Sequence, residues 1–315
     1  MPGRILVIRG GAVGDFLLTL PALGLLRGNF PDTHLEILGY RHIVSLAEGR
    51  YYANATRSIE YGPLARFFNP KGDLDPELSE YFASFHQVIS YIYDPDELFA
   101  TSLKKAGVRN LIAAPPKVLE DGPHAAHQLA APLEKLALWL DDPASRFYPS
   151  DEDHAQARAL LPAGRKPFIS LHIGSGGERK NWPLDRWLTL VRDLDQAYPQ
   201  AHFLYISGES DGERMPALLP VLPRERFTRI DNQRLPVLGA VFTECVLHIG
   251  HDTGVSHLAA AAGTPSLLLF GPTNPAIWAP ANPNVTVLKA PSGDLSALDG
   301  AVVLSKVKEL LAHVL

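Results

Sequence analysis

Short, uninterrupted apolar runs alternate along this chain with turns and amphipathic stretches. Arg4 to Arg9 encloses Ile5-Leu6-Val7-Ile8, the composition of a parallel strand buried on both faces. Gly10-Gly11-Ala12-Val13-Gly14-Asp15 follows, and then an apolar helix with Pro21 either in its first turn or in mid-course. Leu35 to Leu38 predicts a second strand, residues 43 to 49 a short helix, and Val88 to Tyr93 another strand. Between Tyr51 and Ser84 aromatics, Pro and charges mix, which predicts helices and loops without a repeat. Leu129, Leu133, Leu136 and Leu140 fall at helical spacing, so His124 and His127 precede and begin a helix running to Leu140.

The alternation begins again in the second half. Phe168 to Ile173 predicts a strand, and Leu184, Trp187, Leu188 and Val191 make one face of a helix with Pro183 at its first position. His202 to Ser207 is the next strand, followed by a helix from Leu235 to Phe242. Val246 to Ile249 then reads as strand, Gly250 to Gly254 as turn, and Val255 to Ala262 as a small-residue helix stopped by Gly263 and Pro265. Ser266 to Phe270 is a strand, and Val302 to Val314 a closing amphipathic helix expected to pack back across the domain junction.

Between Asp141 and Lys166 the composition turns to Pro, Asp and Ser, with a helix from about Asp151 to Leu161 that Ser150 caps by accepting from the Asp153 N–H. The boundary is therefore placed in this stretch, giving domains 1–155 and 156–315. Each is large enough to bury its own core. Strand, glycine turn and helix open both halves, so the expected class is α/β with two Rossmann-like domains.

Composition narrows the function. A formal charge of −5 and a pI near 6.2 argue against nucleic acid as a partner. Cys245 is the only cysteine, which excludes an intrachain disulfide and fits a reducing cytosol. No apolar run approaches the roughly 20 residues that span a bilayer, and Ile5 to Ile8 is too short for a signal peptide, so a soluble, cytoplasmic protein is expected.

Two places suit an anion. The first N–H groups of the helix after Gly254, with the Thr253 and Ser256 hydroxyls beside them, face the turn that precedes it. Gly174-Ser175-Gly176-Gly177 lies before another helix and brings Lys180 with it. A third place suits a base: Asp15 stands where a pyrophosphate would meet the helix in a dinucleotide site, so it either caps the helix or deprotonates a hydroxyl. Asp94-Pro95-Asp96 has a metal-binding look, but Asp-x-Asp recurs at Asp73 and Asp193 and reads as a composition effect. His248, His251 and His257 fall in a strand, a turn and a helix, so no metal is assigned and His257 is expected to face the core or a bound ligand.

Three motifs together carry a resemblance. They are Gly14-Asp15 followed by Thr19-Leu20-Pro21-Ala22-Leu23; His172-x-Gly174-Ser175 followed by Lys180-x-Trp182-Pro183; and Asp252-Thr253-Gly254 with Ser256-His257, an Ala-rich helix and Phe270-Gly271-Pro272-Thr273-Asn274-Pro275. The set resembles the heptosyltransferase-like glycosyltransferases of family 9, which transfer heptose from ADP-heptose in lipopolysaccharide core assembly. The resemblance implies the GT-B fold, two Rossmann-like domains facing across a cleft, with the acceptor on the N-terminal half and the nucleotide-sugar donor on the C-terminal half. It implies inverting, metal-independent transfer without a cofactor, Asp15 as general base and Lys180 on the diphosphate.

By the same resemblance the donor contacts Gly14, His172, Gly174 and Ser175, then Asp252, Thr253, Gly254 and His257, and also Gly271, Pro272 and Thr273. Glu213 is the acidic residue aligned with the donor ribose, Glu209 and Asp211 being alternatives. The implied partners are the nucleotide sugar and a glycan or glycolipid acceptor, with contact at the inner face of the cytoplasmic membrane. Residues 1–150 hold 14 Lys+Arg against 17 Asp+Glu, so no broad basic face for an acidic glycan is evident. Two rivals stand beside this reading: a sugar-nucleotide binding relative without transferase activity, and an NAD-dependent oxidoreductase, which Asp15 in the turn disfavours.

Overall fold

A computed structural model describes residues 3–69, 72–115, 117–208 and 224–312. It divides into two compact units, Met1–Pro143 and Ala144–Leu315. Among the described residues the first holds a five-stranded parallel sheet in the order β3-β2-β1-β4-β5. Its strands are β1 Arg4–Arg9, β2 His34–Gly39, β3 Ala55–Ser58, β4 Gln87–Ser90 and β5 Leu111–Ala113. Leu6, Ile8, Leu38 and Val88 fill one face together with Phe67, Phe82 and Phe99. The strand order reverses between β1 and β4, and ligands of such sheets bind outside the carboxyl ends of the strands at that reversal.

Pro21 lies in mid-course of the Val13–Asn29 helix, which continues through it. β3 is a strand in the segment expected to hold only helices and loops. Its residues Ala55, Thr56, Arg57 and Ser58 are half-buried at the sheet edge, where no apolar run is required. The helix expected to reach Leu140 is shorter: an α-helix covers Ala125–Ala130, a 3-10 turn carries Pro132 through Ala131–Leu136, and Ala137 ends it at φ 57°. His124 caps its start, Nδ1 accepting from the Ala126 N–H. Asp94 is likewise a helix cap, its carboxylate accepting from the N–H groups of Phe99 and Ala100.

Among the described residues the second unit holds a six-stranded parallel sheet in the order β11-β10-β9-β6-β7-β8. The strands are β6 Phe168–His172, β7 His202–Ser207, β8 Phe227–Asp231, β9 Cys245–His251, β10 Ser266–Phe270 and β11 Val285–Lys289. This sheet reverses between β6 and β9, the strands that carry two of the three motifs. Trp182, Trp187, Leu190 and Leu194 close one face together with Val303, Val307 and Leu311. The closing helix, Gly300–Leu311, lends its apolar side to this face, and the Trp182 indole N–H donates to the Leu298 carbonyl just before it.

The division at 143/144 precedes the expected 155/156 because the segment before the Asp151–Leu160 helix already belongs to the second unit. Phe147 N–H donates to Ala261 O at 2.8 Å, and Asn282 Nδ2 donates to Ser145 O at 2.7 Å. The Phe147 ring also fills the space over Gly239, where a Cβ would sit 2.4 Å from it. Ser150 caps the Asp151–Leu160 helix as expected, with Asp153 returning the bond to the Ser150 N–H. Among the described residues no helix is long and apolar enough to cross a membrane.

Candidate functional site

In the first unit the site begins where β1 runs into its helix. Gly11 turns the chain at φ 99°, and a Cβ there would come within 2.9 Å of Asp15 Oδ2. Asp15 Oδ2 accepts from the Ala12 N–H at 3.0 Å, so the carboxylate caps the helix while 37% of its side chain stays exposed. The cap occupies an N–H that a dinucleotide phosphate would need. Gly14 sits in the same first turn.

Arg9, which sequence reasoning passed over, is the cation of this turn. Nε donates to Thr19 Oγ1 at 3.1 Å, Nη2 donates to Asp15 O at 3.3 Å and lies 3.9 Å from Asp15 Oδ1. Its guanidinium also lies over the Tyr91 ring, whose hydroxyl donates to Leu129 O. Burial pulls the Arg9 pKa down, Asp15 and then Tyr91 oppose it, and a guanidinium in this setting keeps its charge. The strand-end position beside a glycine turn was the signal that could have found it.

In the second unit three motif residues meet on the carboxylate of a fourth. Lys180 Nζ donates to Asp252 Oδ2 at 2.8 Å, Thr273 Oγ1 donates to the same oxygen at 2.7 Å, and His257 Nε2 lies 3.8 Å from Oδ1. Lys180 follows β6, Asp252 follows β9 and Thr273 follows β10, so all three stand outside the carboxyl ends of neighbouring strands. Asp252 is 10% exposed and Lys180 37%. Burial alone would raise the Asp252 pKa, but His257 beside Oδ1, the hydrogen bond and charge of Lys180 and the Thr273 hydroxyl hold it well below the usual carboxylate range.

The loop that brings Lys180 is tied at both ends. Ser175 Oγ donates to Gly177 O at 2.8 Å, a 3-10 turn spans Glu178–Lys180, and the Trp182 N–H donates to His251 Nε2 at 2.9 Å. His251 is the last residue of β9 rather than part of a turn, and its ring stands edge-on to Trp187. Pro183 is the N-cap of the Leu184–Ala197 helix, one place before the position expected for it. Gly174 is buried two residues after the end of β6.

Thr253 caps the Gly254–Ala261 helix by accepting from the Ser256 N–H at 3.3 Å, and its oxygen lies 3.3 Å from His172 Nδ1. Ser256 turns the other way: its hydroxyl is buried 3.2 Å from His248 Nε2. The expectation that both hydroxyls flank an anion is thus corrected for Ser256. The backbone N–H groups of Gly254 and Val255, which have no carbonyl within the helix to bond, face the cluster's end of the helix. After β10, Gly271 passes so close to Leu295 that a Cβ would meet its side chain at 3.0 Å, which leads the chain through Pro272 to Thr273. Glu213, with Glu209 and Asp211, lies outside the described residues.

Comparison with known proteins agrees with the motifs. The family model for glycosyltransferase family 9 (heptosyltransferase) matches residues 109–304. The lipopolysaccharide heptosyltransferase 3 of Escherichia coli is 22% identical over 95% of this chain and 96% of its own. The lipooligosaccharide heptosyltransferase 2 of Haemophilus influenzae is 30% identical over 44% of this chain, which spans 40% of that relative. The ADP-heptose lipopolysaccharide heptosyltransferase II of E. coli superposes with a TM-score of 0.79 at 17% identity, covering 98% of this chain and 99% of that one. Two parallel-sheet α/β domains of this kind are the GT-B fold. With well over half of its residues matched by the family model, the chain belongs to glycosyltransferase family 9, the heptosyltransferases, and is a glycosyltransferase.

Proposed function

We propose that this enzyme transfers heptose from ADP-heptose to a hydroxyl of a lipopolysaccharide-core-type acceptor, with inversion at the anomeric carbon. The observation that carries the reading is the convergence of Lys180, Thr273 and His257 on Asp252, beside the Thr253-Gly254 helix start, at the reversal of the second sheet. An ammonium and a row of helix N–H groups at one point suit a diphosphate. The ionised Asp252 repels phosphate, so its part is to hold Lys180 and Thr273 in place rather than to touch the donor. The family's donor, as named for the E. coli relative, supplies the identity of the nucleotide and sugar.

In this mechanism the acceptor oxygen attacks the anomeric carbon from the side opposite the diphosphate. The bond between that carbon and the diphosphate oxygen breaks, ADP leaves with the electron pair, and the acceptor proton passes to Asp15. Lys180 and the Gly254 and Val255 N–H groups stabilise the charge that gathers on the departing diphosphate. The first unit holds the acceptor and the second the donor, and the work is done in the cytoplasm at the inner face of its membrane.

The test is a nucleotide screen by thermal shift. ADP at 100 times its dissociation constant should stabilise the protein by about 2.7 kcal/mol, and UDP, GDP or NAD at the same concentration should stabilise it less. A preference for UDP would sink the ADP-heptose assignment while leaving family and fold untouched.

A further inference from the structure

Beneath the Thr253 cap runs a chain of polar side chains sealed from solvent. Ser170 on β6, His248 on β9 and Ser256 on the Gly254–Ala261 helix are all fully buried. Ser170 Oγ donates to Leu247 O at 3.3 Å and lies 3.0 Å from His248 Nδ1. His248 Nε2 lies 3.2 Å from Ser256 Oγ, and Thr253 Oγ1 donates to Ser256 Oγ at 3.4 Å.

The proton count gives this chain a direction. A neutral imidazole has one N–H and one acceptor nitrogen. With the Ser170 proton on Leu247 O, Ser170 Oγ accepts from His248 Nδ1–H, and Nε2 is left to accept the Ser256 hydroxyl proton. Ser256 Oγ then accepts from Thr253. Thr253 Oγ1 has its proton turned inward and uses its lone pairs on the Ser256 N–H and towards His172 Nδ1, 3.3 Å away in each case.

Filling the core does not explain the imidazole. Its ring stands edge-on to Phe242, where an aliphatic side chain would pack without desolvating two nitrogens. Burial, reinforced by His172 and His251, keeps the His248 pKa well below its ordinary value and the ring neutral. Space is also reserved for the link: a Cβ on Gly250 would fall 2.8 Å from both His248 Nε2 and Ser256 Oγ.

We propose that His248 is a positioning residue for the donor site, which acts through Ser256 to hold the Thr253 hydroxyl as a saturated helix cap. Thr253 then presents no proton to the ligand, and the anion is left to the Gly254 and Val255 N–H groups and Lys180. The proposal rests on the donor reading given above.

The experiment compares His248→Leu, His248→Gln, Ser256→Ala and the His248→Leu/Ser256→Ala double variant, each checked for folding by its melting curve. Two quantities are read: ADP affinity by calorimetry, and the exchange rate of the Ser256 amide hydrogen by NMR without ligand. His248→Leu should speed that exchange and weaken ADP about ten-fold, while His248→Gln, whose side-chain amide reaches the Nε2 position, should recover most of both. The double variant should bind ADP no more weakly than either single variant, because the two residues act along one chain. Unchanged exchange and affinity in His248→Leu, or additive losses in the double variant, would overturn the proposal. If His248→Leu does not fold, Ser256→Ala decides by the same two readouts. A parent protein that binds no ADP would overturn the donor reading instead, and the Ser256 exchange rate alone would then decide the role of His248.

Discussion

Lys180 Nζ stands 2.8 Å from Asp252 Oδ2, so the ammonium that the sequence offers to a phosphate is already engaged by a carboxylate 72 residues away. The pair sets where the charge sits. A lysine on a flexible stem loses entropy when it is fixed in place, and here the contact with Asp252 already meets that cost.

Lys180→Ala should weaken ADP binding about ten-fold, the lower end for a hydrogen bond to a charged group, since Lys180 is partly exposed. The difference between parent and variant should shrink as salt rises and screens the charge. Calorimetric titration at low and high ionic strength reads both effects. Equal affinity in the two proteins would return Lys180 to a purely structural role.

Asp252 predicts a pH dependence of stability. Its folded pKa lies below the ordinary 3.8, so its ionised form stabilises the fold above that value, and the contribution is lost as pH falls through the folded pKa. The parent melting temperature should therefore fall below about pH 4, with a shallower fall in Asp252→Asn. Melting curves from pH 7 to pH 3 test this, and parallel slopes would contradict it.

Asp15 has two separable roles, cap and proposed base. Asp15→Asn keeps an oxygen for the Ala12 N–H, so melting temperature and ADP affinity should hold while turnover falls about 10²- to 10⁴-fold. Asp15→Ala should also lose roughly 0.5–2 kcal/mol of stability with the cap. Near-normal turnover in Asp15→Asn would remove the base and the mechanism with it.

Gly11→Ala approaches the same carboxylate from the backbone. Its φ of 99° strains any L side chain, and the new Cβ would press on Asp15 Oδ2. The expected result is a stability loss of about 1–2 kcal/mol with reduced turnover. ADP affinity should be intact, because the proposed diphosphate site belongs to the second unit. A fall in ADP affinity comparable to the fall in turnover would refute that separation.

Arg9→Lys tests the guanidinium. The fork serves Thr19 Oγ1 and Asp15 O at once, which a single ammonium cannot match. Turnover should fall about ten-fold with unchanged ADP affinity, the loss expected for one charge-assisted bond. Transfer assays on the purified variant decide it.

Much of this protein was determined by the sequence alone, because strands buried on both faces must be written as apolar runs. Ile5 to Ile8, Phe168 to His172 and Ser266 to Phe270 could be placed for that reason, and Ser150 with Asp153 announced a helix start. The motif glycines also pointed to the two turns. What pattern could not show was anything set by a partner distant in the chain. β3 is polar because an edge strand has only one neighbour, and the domain division depends on where Phe147 finds its contacts. The direction of Ser256 depends on His248 across a strand and a helix. Above all, local residues make Lys180 look like a free anion ligand and say nothing of a tie to Asp252. His257 reaches Asp252 from the next turn of chain, but only the order of β6, β9 and β10 in the sheet brings Lys180 and Thr273 onto it, where their mutual electrostatics, and not their spacing, set the charge of the site.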